Sequence, residues 1–159
     1  MSEKIAVYID GENISWRLYN LIEDVIKEFG KIFIFNIYTK KGSNDYENWD
    51  KISENCKLIK CQNVNIKDWV DGILIQQLKG DLKKYNNITL FFIISSDNDF
   101  NILKKIIEKK EKNIKFIKQN NNSSLILNGK IIIYNYEKEE LKKEIKKELK
   151  DQIKKEIKK

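Results

Sequence analysis

Short apolar runs rich in Ile, Phe and Val punctuate the chain at Ile5–Ile9, Ile32–Tyr38, Lys57–Cys61, Ile88–Ile94, Ile114–Lys118 and Lys130–Tyr134. Most of them do not alternate with polar residues, which is how strands covered on both faces read. Between them the apolar spacing changes to three and four. Ile14, Leu18, Leu21, Ile22, Val25, Ile26 and Phe29 form one helical stripe, read as ending at Gly30. Trp69, Val70, Ile73, Leu74 and Leu78 form a second, in a helix over Lys67–Lys84, and Phe100, Leu103, Ile106 and Ile107 form a third. A more polar helix is expected over Tyr46–Asn55, and Asn120–Ser124 reads as a polar loop. Strands alternating with helices predict an α/β layer fold with a mostly parallel sheet, in one domain over residues 1–136. Ligands of such sheets bind beyond the carboxyl ends of the strands, near the point where strand order switches. Residues that directly follow strands are therefore the ones to search for chemistry.

The remaining stretch, 137–159, has a different pattern. Leu141, Ile145, Leu149, Ile153 and Ile157 recur every four residues in a background of ten lysines and seven acids. A step of four advances the stripe about 40° around a helix, so it winds and cannot follow one straight partner throughout. A charged, solvated helix is the plain reading; nucleic-acid attraction and a homodimer through this helix are the others.

Composition narrows the chemistry further. The chain has 159 residues, a formal net charge of +7 and no histidine. Imidazole acid–base catalysis, Ser–His hydrolysis and most zinc sites are excluded. The two cysteines, Cys56 and Cys61, are too few for a structural zinc site and read as ordinary thiols. The cations are thirty lysines and a single arginine, Arg17, which suits loose attraction to polyanions better than bidentate recognition. No run of eighteen apolar residues and no signal-peptide pattern stands in the sequence, so the expectation is a cytoplasmic protein with no membrane association. A P-loop is absent. Asp10-Gly11-Glu12-Asn13 has one glycine and two anions where a dinucleotide-binding turn would need several glycines.

Three acidic clusters fall where the fold makes them interesting. Asp10 follows the first strand, Asp68 and Asp71 open the central helix, and Asp97 and Asp99 follow the strand Ile88–Ile94. Each acid has a plain explanation as a turn or helix cap. Asp71, between Val70 and Ile73, is harder to explain that way. Acids gathered on one strand-end edge repel unless a cation lies among them. Without histidine, Mg²⁺ or Mn²⁺ is the natural candidate, since hard cations take oxygen ligands.

Val7-Tyr8-Ile9-Asp10-Gly11-Glu12-Asn13-Ile14, Lys67-Asp68-Trp69-Val70-Asp71 and Ile94-Ser95-Ser96-Asp97-Asn98-Asp99-Phe100, in this order and spacing, resemble the three signature blocks of the NYN domain, one of the PIN-like nucleases. The resemblance covers roughly residues 4–135. It implies a three-layer PIN-like, Rossmann-like fold and an acidic pocket that binds Mg²⁺ or Mn²⁺ and hydrolyses RNA, single-stranded or structured. Carried over by position, Asp10, Asp71, Asp97 and Asp99 are the catalytic, metal-binding carboxylates. Asn13, Ser95 and Ser96 are polar helpers. Family members often carry a further acid lower on the central helix, where this chain has Gln77, and some carry one just before the last strand, where Asn128-Gly129 stands. Lys40, Lys41 and Lys67 are expected to contact phosphates, and Tyr46 and Trp49 to stack on bases. The alternative is a catalytically quiet module that keeps the pocket and binds RNA or a protein partner.

Overall fold

The computed structural model describes residues 3–52, 56–61, 69–133 and 136–157, with side chains for all of these except 44, 98, 99, 133, 136–143 and 157. In chain order the elements are β1 (Glu3–Asp10), a 3-10 turn (Trp16–Leu18), α1 (Tyr19–Lys27), β2 (Gly30–Lys40), α2 (Asn44–Ile52), β3 (Lys57–Cys61) and α3 (Trp69–Lys84). There follow β4 (Leu90–Ile94), a second 3-10 turn (Asn98–Asn101), α4 (Ile102–Lys109), β5 (Asn113–Asn121), β6 (Ser124–Leu127), β7 (Lys130–Ile133) and α5 (Tyr136–Ile157). The seven strands form one sheet in the order β3-β2-β1-β4-β5-β6-β7, parallel through β5 and antiparallel for β6 and β7.

The non-alternating strands are apolar on both sides because two cores cover them. Ile5, Val7, Ile9, Phe35, Ile37, Leu90, Phe92 and Ile94 face α1 and α2. Ala6, Tyr8, Tyr38, Cys61, Phe91 and Ile93 face α3 and α4. On this second face Tyr38, Tyr8 and Phe91 make a stacked row across β2, β1 and β4, with ring centroids 6.5 and 6.4 Å apart. The Tyr8 hydroxyl donates to Asp81 Oδ2 of α3 at 2.7 Å, and Asn36 Nδ2 donates to the Tyr38 hydroxyl at 3.2 Å. These bonds allow polar atoms inside an otherwise apolar layer.

Three expectations need correction. Gly30 does not end the first helix; α1 stops at Lys27, capped by Glu28, and Gly30 opens β2 opposite Glu3. A Cβ at that position would lie 2.0 Å from the Glu3 carbonyl oxygen, so close backbone approach, not helix termination, calls for the glycine. Asn120–Ser124 is not a plain loop, because its ends belong to β5 and β6, joined by a tight turn. The strand Ser124–Leu127 that follows is absent from the sequence reading. Its signal was present in Leu125-Ile126-Leu127 followed by Asn128-Gly129. Asn128 and Gly129 both have positive φ, 53° and 76°, as a two-residue type I′ hairpin requires. The expected helical residues 53–55, 67 and 68, and the strand residue 134, lie outside the described residues.

Burial raises the hydroxyl pKa of Tyr8, Tyr19 and Tyr38 well above the ordinary tyrosine value of 10.0; hydrogen bonding to Asp81 adds to the effect at Tyr8. The unfolded chain then ionises these groups first. The contribution of these three groups to folded stability is therefore constant below pH about 10 and falls as pH rises above it. Alkaline titration followed at 295 nm is expected to show these three tyrosines ionising only together with loss of the native far-UV signal.

Candidate active site

β1 is the middle one of the five parallel strands, and the strand order reverses beside it. The chain goes from β1 to β2 and β3 on one side, then crosses by α3 to β4 on the other. The carboxyl ends of β1 and β4 therefore flank the switch point. Asp10 ends β1 and Ser95 follows β4. Strand alternation sends Asp10 to the α3/α4 face with Ala6 and Tyr8, and Ser95 to the same face with Phe91 and Ile93.

Asp10 is 0% exposed. Its Oδ2 accepts from Asn13 Nδ2 at 2.6 Å and from Ser95 Oγ at 3.0 Å, and its Oδ1 accepts from the Glu12 N–H at 3.2 Å. Among the described residues no lysine or arginine forms an ion pair with it. Ser95 Oγ in turn accepts from the Asp97 N–H at 3.1 Å, and the Ser95 N–H donates to the Ile117 carbonyl at 3.1 Å. One serine thus joins the end of β1 to the acidic turn after β4.

The Asp10-Gly11-Glu12-Asn13 turn is tightly determined. The Gly11 N–H donates to the Tyr38 carbonyl at 2.9 Å, and a Cβ on Gly11 would lie 2.6 Å from Thr39 Cγ2 and 2.9 Å from that carbonyl oxygen. The Asn13 and Ile14 N–H groups close the turn on the Asp10 carbonyl at 3.2 and 3.1 Å. Glu12 reaches across to accept from the Lys40 N–H. Its carboxyl pKa is raised by burial, with nearby Asp45 adding to the rise and the Lys40 N–H opposing it. Burial likewise pushes the Cys61 thiol up to about 11, and the charges of Glu12 and Asp10 push in the same direction. Cys61 is therefore a neutral thiol at physiological pH and not a thiolate nucleophile.

Asp71 lies in the first turn of α3, buried, and α3 starts at the same sheet edge because the parallel crossover leaves the carboxyl end of β3. Asp97 is half-buried, and Asp99 belongs to the turn Asn98–Asn101, with its side chain outside the described set. Ser96 is exposed. Among the described residues, no three Asp, Glu or Cys side chains come close enough to form a ready-made metal cage. The donor set nevertheless fits a hard divalent ion. Mg²⁺ typically keeps several waters and takes only one or two protein carboxylates together with substrate phosphates. A buried carboxylate held by three neutral donors, and in no ion pair among the described residues, suits that role.

The expected RNA contacts fare unevenly. Trp49 is the clear correction: it is 0% exposed, and its Nε1 donates to the Gly11 carbonyl at 3.1 Å. It braces the acidic turn from the α1/α2 side and has no face to offer a base. Tyr46 is half-buried, with the Lys60 ammonium 5.0 Å from its ring centroid. Lys40 is half-buried and Lys41 exposed; the Lys41 N–H donates to the Cys61 carbonyl at 2.7 Å, tying this loop to β3. Lys67 and Asp68 lie outside the described residues. Gln77 lines a cleft of about 570 Å³ with Asn36, Lys57 and Asp81, which none of the strand-end acids joins. Asn128 forms the β6–β7 turn. Lys118 was missed by the sequence reading. It follows Ile117, the partner of Ser95, and shares with Phe116 the face that carries Asp10. The alternation of Phe116 and Lys118 at a strand end was the available signal.

A sequence model of the NYN domain matches residues 4–134. The chain belongs to the NYN domain family. NYN domains are PIN-like nucleases, and the match spans all three acidic blocks and every strand of the sheet. No curated protein and no solved structure matches the chain. Among the described residues of this NYN protein, no helix is long and apolar enough to cross a membrane.

The close packing of Gly11 gives a prediction. Gly11→Ala forces β1 and β2 apart at the acidic turn and is expected to cost about 1–3 kcal/mol, in the range of overpacked cores. Urea unfolding followed by tryptophan fluorescence measures it.

Proposed function

We propose that this NYN protein is a divalent-metal-dependent endoribonuclease. The observation that carries the reading is Asp10: a water-excluded carboxylate with no ion-pair partner among the described residues, at the switch point of the sheet, joined through Ser95 to the Asp97 turn. Asp10, Asp71, Asp97 and Asp99 are the carboxylates that would hold Mg²⁺ or Mn²⁺. Such an ion, when bound, screens the scissile phosphate, lowers the pKa of an attacking water and stabilises the departing oxygen.

The chain's own contribution is position and charge. Asn13 and Ser95 fix the Asp10 carboxylate by donating to one oxygen, which leaves Oδ1, with a single backbone donor, the better placed to meet a cation. Burial keeps this carboxylate from being solvated by bulk water, which strengthens its hold on a cation. Lys118 on the neighbouring strand supplies positive charge at the same edge, and Lys40 and Lys41 extend it across the β2 loop. Lysines attract the phosphate backbone without reading bases, so weak sequence preference is expected. A second reading, a quiet module that binds RNA or protein without cutting, draws support from the lack of three gathered metal-ligating side chains among the described residues.

The test is cleavage of single-stranded and structured RNA by purified protein with Mn²⁺ or with excess chelator. Cleavage is expected only with the metal. Asp10→Asn and Asp97→Asn should reduce it by about two orders of magnitude or more, and Ser95→Ala by about 10–100-fold, the usual cost of removing a group that orients a metal ligand. Cleavage in chelator, or equal rates in Asp10→Asn, contradicts the proposal; tight metal-independent RNA binding without cleavage establishes the second reading.

A further inference from the structure

Helix α5 exposes an apolar ridge that nothing in the nuclease reading uses. Ile145, Leu149 and Ile153 are 48%, 54% and 56% exposed. Each is four residues from the next, so they lie on one i±4 ridge of the helix.

The same period of four sorts the charges into rows. Glu144 and Glu148 precede Ile145 and Leu149, and Gln152 and Glu156 continue that row; Lys146, Lys150 and Lys154 follow the apolar residues on the other side. At about 100° per residue, the acidic row lies along one flank of the ridge and the lysine row along the opposite flank. Within the helix, residues four apart in these rows include like charges, Glu144 with Glu148 and Lys146 with Lys150 with Lys154, which repel. Among the described residues of α5 no lysine comes within ion-pair distance of a carboxylate. Left alone, the helix therefore exposes its apolar ridge between two rows of repelling charge; the alternating charges four apart, Lys147, Asp151 and Lys155, lie on the side away from the ridge.

A second copy of the chain answers both deficits. We propose that α5 pairs with α5 of another copy, in parallel, along this ridge. The two-fold operation of a parallel pair sets the acidic flank of one helix against the lysine flank of the other, on both sides of the contact. The antiparallel arrangement sets Glu against Glu and Lys against Lys. Charge complementarity thus selects one occupant and one orientation. Two i±4 ridges interlock at a crossing of about −50°, which centres the contact on Leu149 and makes the association modest and concentration-dependent.

The experiment is sedimentation velocity on the full chain, freed of nucleic acid, over a concentration series at low and high salt. The expected result is a monomer–dimer equilibrium that weakens as salt is added, because the flanks attract. Leu149→Gln combined with Ile153→Gln should raise the dissociation constant about tenfold or more, the equivalent of 1.4 kcal/mol, with thermal unfolding of the domain unchanged. Glu144→Lys combined with Glu148→Lys should weaken self-association similarly. Mixing that variant with Lys146→Glu plus Lys150→Glu should restore pairing between the two. A chain that stays monomeric at every concentration overturns the proposal. So does a dimer strengthened by salt, which marks the antiparallel form, or one indifferent to the ridge and charge variants. Association that appears only when an RNA oligonucleotide is added also overturns it and assigns the lysine rows to nucleic acid.

Discussion

A carboxylate withdrawn from water at the end of a central strand must be compensated, and much of the fold around Asp10 can be read as that compensation. Three neutral donors meet it, from Asn13, Ser95 and the Glu12 backbone. Two arrive through the turn that follows β1, and one from the residue that follows β4. That turn can form only because Gly11 lets β2 pack against it, and because Trp49 closes it from the other side of the sheet. Hydrogen bonds reduce the cost of burying the charge without neutralising it. The residual negative potential faces the edge where parallel sheets bind their ligands.

The parallel order of the strands gives that edge its reach. Because β1, β2, β3, β4 and β5 all end on the same side, residues far apart in sequence become neighbours without long loops. Ser95 meets Asp10 across 85 positions of chain, and Lys118 arrives one strand further on. The two cores isolate this edge from the opposite end of the sheet. There the Tyr8–Asp81 bond and the cleft beside Gln77 form a separate polar region within the α3/α4 layer. An acid missing at Gln77 thus removes nothing that touches Asp10, Ser95 or the Asp97 turn.

The parallel half of the fold was legible because buried parallel strands are written as continuous apolar runs; β3 matches its sequence pattern residue for residue, and β1, β2 and β5 extend beyond theirs. The antiparallel half was less legible. β6 is four residues long and sits between polar turns, so the Asn-Gly hairpin signal had to outweigh its brevity. Gly30 shows a different limit, since a glycine after a helical stripe looks the same whether it ends a helix or admits a neighbouring strand. At the site, Asp10, Asn13, Ser95 and Asp97 could be placed by their positions after strands. Trp49 could not, because a tryptophan behind a polar loop reads as a surface platform until its indole N–H is seen bonded to Gly11. Lys118 was hidden among thirty lysines and gained meaning only from its strand and face.

Anomalous scattering from a crystal of the protein soaked in Mn²⁺ tests most directly whether Asp10 is a cation-seeking carboxylate. The predicted result is a peak within inner-sphere distance of the Asp10 carboxylate, about 2.0–2.6 Å, on the side away from Asn13 and Ser95, and its loss in Asp10→Asn. A strand-end edge that takes no ion under saturating Mn²⁺, with the Asp10 carboxylate satisfied by a lysine ammonium, would contradict it.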